Sequence, residues 1–231
     1  MVRSSIESAS GNFMERMGFP FSIETAAAGE NGEPSLSVRG EAAVFGQPSE
    51  LVQFGEYFNL MHAGAFTETL ANDDVVQLWQ HNTELPLARK STGTLQLAET
   101  KSGLSIASDM APTSYGKDAA ISIARGDVKQ QSFGFDILQK AWRYVKDTDQ
   151  LFRDIFKVKL YEVSPVTFPL FTGTSIESYS NAQFSKTLEA EAMQARASLI
   201  GPPPVVIDLA RNISLERRFK LNQQETRLCR T

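Results

Sequence analysis

The chain has 231 residues, which at roughly 150 residues per domain allows one large domain or one domain with an appendage. Its 23 Lys+Arg against 27 Asp+Glu leave a formal net charge of −4, so charge gives it no pull toward a polyphosphate or an anionic membrane. One cysteine and two histidines exclude an internal disulfide and a thiolate-rich zinc site, and they confine any histidine chemistry to His62 or His81.

Along the chain, residues 1–35 read as a flexible leader, Ser-rich at first and closing on the turn signature Gly29-Glu30-Asn31-Gly32-Glu33-Pro34. Its start lacks the apolar core of a signal peptide, and no stretch reaches the roughly 18–20 apolar residues of a membrane span. A strand is predicted from Leu36 to Phe45, closed by Gly46-Gln47-Pro48, and a short helix near 64–70. Val75 to His81 alternates as a strand, with Val75, Gln77, Trp79 and His81 on one face. Thr94–Ala98 and Leu104–Ser108 read as a hairpin turned by Lys101-Ser102-Gly103.

The period then changes. Tyr115, Ala119 and Ile123 stand four apart, with Ser114 as an N-cap and Gly126 as the C′ glycine, so a helix is predicted over 114–126. Further strands are predicted at Val128–Leu138, Ala141–Val145, Ile155–Val163 and Val166–Phe171, and a helix over 185–199 stops at Gly201-Pro202-Pro203-Pro204. Strands outnumber helices without alternating with them, which predicts an α+β fold, mainly antiparallel, as a sheet or barrel. Residues 205–231 read as a tail or docking segment outside the core.

Phosphate-loop, dinucleotide, His-Glu-x-x-His, Cys-x-x-Cys and Gly-x-Ser-x-Gly motifs are all absent. What remains is a serine and a histidine in strands. Phe133, Phe135 and Ile137 point one way, so Ser132 points the other, beside Gly134, whose missing side chain leaves room for an approaching carbonyl. An ordinary solvent-side serine fits that pattern equally. His81 at a strand end can present one ring nitrogen to a serine and the other to an acceptor; a backbone-bonded histidine is the plainer reading. Glu162 shares a face with Val158 and Leu160, which suits either an orienting partner for His81 or a salt bridge.

Several segments together resemble the prohead maturation proteases of HK97-type tailed bacteriophages, which are related to herpesvirus maturation proteases. They are Gly40–Phe45, His62-Ala63-Gly64-Ala65-Phe66, Val76–His81, Pro86–Arg89, Thr92–Leu95 and Ser102–Leu104, and most specifically Gly126–Phe135 and Tyr161–Pro169. The resemblance implies a serine endopeptidase with a herpesvirus-protease-like β-barrel, Ser132 as nucleophile and His81 as general base. It favours an acidic third member, Glu162 ahead of Asp154 and Asp136. It also implies a leader at 1–35, a protease domain at 36–175 and a helical tail at 176–231 open to self-cleavage. Its implied substrates are the major capsid protein, the scaffold and the protease itself, inside a procapsid assembling in the host cytoplasm. A homo-oligomer (a dimer in the herpesvirus relatives) is implied, with no metal or organic cofactor. The alternative is an inactive barrel protein that serves capsid assembly, and the Pro usual in the family beside His62 is missing.

Overall fold

Two long strands organise the computed structural model, which describes residues 4–8, 15–19, 23–25, 35–49, 51–52, 56–168 and 182–200. They are β10 (Gln130–Val145) and β11 (Gln150–Val166), of 16 and 17 residues, paired antiparallel across their length. Both far exceed the usual strand of about 5–6 residues. Register shifts after Gly134, Ile137 and Gln139 break the pair into segments, and such bulges bend and twist a ladder. The predicted strands at 128–138 and 141–145 are therefore one bent strand.

The remaining elements are β1 (Ser4–Ser8), β2 (Glu15–Phe19), β3 (Ile23–Thr25), β4 (Ser37–Val44), β5 (Tyr57–Met61), α1 (Thr67–Asn72), β6 (Val76–Trp79), β7 (Asn82–Arg89), β8 (Leu95–Glu99), β9 (Gly103–Asp109), α2 (Ser114–Arg125) and α3 (Ala182–Ile200). One sheet runs β1-β10-β11-β6-β7, with β2 also on β10 and β5 also on β11. The other runs β3-β4-β9-β8. Among the described strands, the β11 pairings to β5 and β6 are parallel and the others antiparallel. Residues 1–199 form one unit that contains both sheets, and 200–231 form a second that lies outside the described residues apart from Ile200.

The α+β class is as predicted, but the closed barrel is not. Among the described residues each sheet ends on open edges, β1 and β7 in one, β3 and β8 in the other. Pro86 within β7 has no N–H to give a ladder, the mark of an edge strand. Within residues 1–35, β1 and β2 both pair with β10, and β3 pairs with β4. The tail from 205 and the predicted strand beyond 168 lie outside the described residues.

The main core lies between the sheets: Phe133, Phe135, Val158 and Leu160 from the long hairpin meet Ala42, Ala43, Leu95, Leu104 and Ile106 of the smaller sheet. α2 closes a second cluster through Ala119, Ala120 and Ile123 over Val38 and Leu87, and α3 packs Ala192 and Ala195 near Tyr57 and Trp142. α2 starts on Thr113, whose side chain accepts from the Gly116 N–H, rather than on Ser114, and ends at Gly126 in the left-handed conformation.

Two consequences are measurable. Gly103 starts β9 so close to β4 that a Cβ would overlap the Ala43 carbonyl oxygen. Gly103→Ala should cost about 3 kcal/mol in a urea melt, since both sides of the overlap are backbone. The Tyr57 phenol is fully buried with no partner for its hydroxyl among the described residues, and burial pushes its pKa up to about 12. A raised phenol keeps its proton in the folded chain while the unfolded chain ionises near 10, so this contribution is whole below 10 and lost as pH rises through 12. Relative to Tyr57→Phe, the wild type should lose up to about 3 kcal/mol across that window. At neutral pH Tyr57→Phe should be neutral or slightly stabilising, because an unpartnered buried hydroxyl is removed.

Candidate active site

Directly paired residues of an antiparallel ladder share a face. Ser132 pairs with Ser164 and Gly134 pairs with Glu162, so these four form one patch on β10 and β11. Phe133 pairs with Val163 and points with it into the core on the opposite face. The alternation read in the sequence placed Ser132 away from the phenylalanines, and that holds. The side it faces is not solvent, however: Ser132 is 0% exposed.

His81 arrives from the other edge of β11. Trp79 pairs with Asn82, leaving Gln80 and His81 as a two-residue turn with φ of 55° and 60°. Both values lie in the left-handed region, the signature of a type I′ hairpin turn, which ordinarily takes Asn-Gly. Two large side chains are thus held where they are intrinsically disfavoured, a kind of strain that clusters at functional sites. The turn is tied down by neighbours: the Gln80 N–H donates to the Pro165 carbonyl at 3.2 Å, and its side-chain amide donates to Thr167 Oγ1 at 2.9 Å. Pro165 in turn pairs with Gln131, so one residue of β11 lies between the turn and the strand that carries Ser132.

The ring of His81 meets the patch. Nδ1 lies 2.7 Å from Glu162 Oε1, and the other carboxylate oxygen accepts from the Ser164 hydroxyl at 2.5 Å. Glu162 is 4% exposed and Ser164 0%. A carboxylate accepts only, so Nδ1 is the donor and carries the proton, leaving the Nε2 lone pair as the basic site. Nε2 is buried and has no hydrogen-bond partner among the described residues. Gly134 opposite Glu162 brings no side chain into the space the carboxylate uses.

The other two carboxylates considered lie elsewhere. Asp154 is gripped by the Arg143 guanidinium at 2.7 and 3.0 Å and by His62 Nε2 at 3.1 Å, whose ring stacks on Phe156. Asp136 accepts from the Tyr161 hydroxyl at 2.6 Å, which raises that phenol to about 12. Glu162 is the one bonded to His81. Ser164 was not singled out from the sequence, yet its signal was there: it stands two residues after Glu162 on an alternating strand.

The Ser132 hydroxyl donates to neither His81 nor Glu162. It donates to the backbone carbonyl of Met17 at 3.1 Å, because β2 runs antiparallel along Gln131–Phe135. Among the described residues no cluster of three or more His, Cys, Asp or Glu is arranged to hold a metal. A cavity of about 230 Å³ lies on the smaller sheet, lined by residues such as Arg39, Gln96 and Asp109, and touches none of these groups.

Residues 21–190 match the sequence profile of the caudovirus prohead serine proteases. The chain belongs to that family. The match spans β3 to α3 and holds His81, Ser132 and Glu162 within it. No curated protein matches the chain. A solved structure similar to it is the capsid assembly protease gp21 of bacteriophage T4, at 10% identity over 72% of this chain and 99% of that one, with a TM-score of 0.42. Within a family of prohead serine proteases, the buried Ser132 and the His81–Glu162 pair are the chemistry to be accounted for. No helix among the described residues is long and apolar enough to cross a membrane.

Proposed function

We propose that the chain is a serine endopeptidase of procapsid maturation, with Ser132 as nucleophile, His81 as general base and Glu162 as the group that orients it. The observation that carries this is the 2.7 Å bond between His81 Nδ1 and Glu162, which leaves Nε2 without a hydrogen-bond partner among the described residues and ties the ring to the strand face that also carries Ser132. His81 Nε2 takes the Ser132 proton as the hydroxyl attacks a peptide carbonyl, then gives it to the leaving amine. Glu162, held by Ser164 on its second oxygen, keeps the ring in the productive tautomer and stabilises the imidazolium.

Its substrates on this reading are the scaffolding and capsid proteins of its own phage and the chain itself, cut inside the assembling procapsid in the host cytoplasm. Self-cleavage falls in the terminal regions 1–35 and 176–231, and the protease works as a homo-oligomer without metal or organic cofactor. A non-catalytic assembly component is the second reading, and the burial of Ser132 against Met17 is what favours it.

Co-expression with the phage's major capsid protein separates the two. Wild type should yield shortened capsid protein and shortened protease by mass spectrometry, and Ser132→Ala should yield neither. Full-length masses in every lane, from a chain that is folded, would sink the protease reading.

A further inference from the structure

The strand β2 lies where a substrate strand would have to lie. A peptide cut at Ser132 needs its carbonyl at the hydroxyl, and the β10 edge over Gln131–Phe135 is the backbone that could align it by strand addition. β2 holds that edge in an unbroken antiparallel register, and its Met17 carbonyl accepts the hydrogen bond of the Ser132 hydroxyl, while His81 Nε2 has no partner among the described residues. Two residues before that carbonyl, the Glu15 carboxylate meets Arg153 through both guanidinium nitrogens, at 2.6 and 3.2 Å. Arg153 is 0% exposed; its remaining Nε–H donates to Asn59 Oδ1 at 2.7 Å, and its guanidinium lies 5.2 Å from the Tyr57 ring centre. Met17 itself is buried in the main core.

From this juxtaposition we propose that β2 is a substrate-like strand seated in the cleft, and that Arg153 with Asn59 forms the subsite for an acidic side chain two residues before the scissile carbonyl. The proposal rests on Ser132 being the nucleophile. A buried guanidinium left without a carboxylate is strongly unfavourable, so an incoming strand lacking an acid at that position is rejected, and so is spontaneous departure of β2. The class of substrate that fits is an extended peptide reading acid, any residue, large apolar residue. It exchanges with β2 strand for strand. In the chain as folded, the same contacts keep the nucleophile covered.

The test uses the full-length chain, a fluorophosphonate that labels activated serines, and hydrogen exchange read by mass spectrometry. Glu15→Gln should label Ser132 at least tenfold faster than wild type and speed exchange of Glu15–Phe19 and Gln131–Phe135. Added heptapeptide of residues 13–19 should suppress labelling of that variant at a concentration at least tenfold below its Glu-to-Gln counterpart. Gly18→Pro, which disrupts the pairing opposite Ser132 while keeping Arg153 and Glu15, should open the same segments should Glu15→Gln fail to fold. Unchanged labelling and exchange in a folded variant would overturn the proposal, and equal protection by the two peptides would overturn the acidic subsite. Faster exchange with no labelling of any chain supports the seated strand and instead refutes Ser132 as nucleophile.

Discussion

Ser132→Ala and His81→Ala should each lower cleavage of the capsid substrate by about 10⁴-fold or more, and the double variant should be little worse than either alone, because the members of such a set act as one unit. Glu162→Gln keeps the shape but offers an amide that does not compel the Nδ1–H tautomer, and a loss of about 10⁴ in kcat is expected with KM near wild type. Ser164→Ala removes one hydrogen bond to the carboxylate, worth about tenfold in rate. The order of these effects is the informative part. If Ser164→Ala were as damaging as Ser132→Ala, the arrangement of roles would have to be redrawn. Melting temperatures measured beside the rates separate lost chemistry from lost fold, since Ser132, Glu162 and Ser164 are buried and the His81 side chain is only 8% exposed.

Phe133→Ala should be among the most destabilising single changes, at about 3–5 kcal/mol in a denaturant melt. The ring is fully buried between Phe66, at 5.7 Å and 74°, and Phe135, at 5.0 Å. It also sits on the far side of the strand from the neighbouring Ser132, so the cavity left behind loosens the backbone that aims the hydroxyl. Catalysis should therefore fall with stability in this variant. Phe168→Ala, where the side chain is 81% exposed, should change the melt by less than about 0.5 kcal/mol.

Much of the site was legible because strand alternation is a strong signal. Ser132 opposite the phenylalanines follows from a period of two, and α2 from its four-residue spacing and its glycine. Glu162 does not share the face of Val158 and Leu160 as its spacing suggests: the register shift after Gly134 leaves those two in the core and turns Glu162 to the Ser132 face. His81 was placed at a strand end, but the hairpin it turns was not foreseen. A type I′ turn normally announces itself with Asn-Gly, and Gln80-His81 hides it, so the sequence predicts no strand where β7 lies. The short strands β1 to β3 were not legible either, for a related reason. β1 to β3 are three to five residues long and owe their order to partners more than a hundred residues away, or to β4. Glu15 and Arg153 are 138 positions apart, and nothing local in either segment marks them as partners. A closed barrel is a property of both sheet edges together, which strand patterns do not encode.

The central claim is that Ser132 is a nucleophile made reactive by His81. Exhaustive treatment of the full-length chain with a fluorophosphonate, followed by peptide mass mapping, tests it most directly. A single adduct on Ser132 in wild type, absent in His81→Ala of the same melting temperature, is the expected result. An adduct on another serine, or equal labelling of Ser132 without His81, would contradict it.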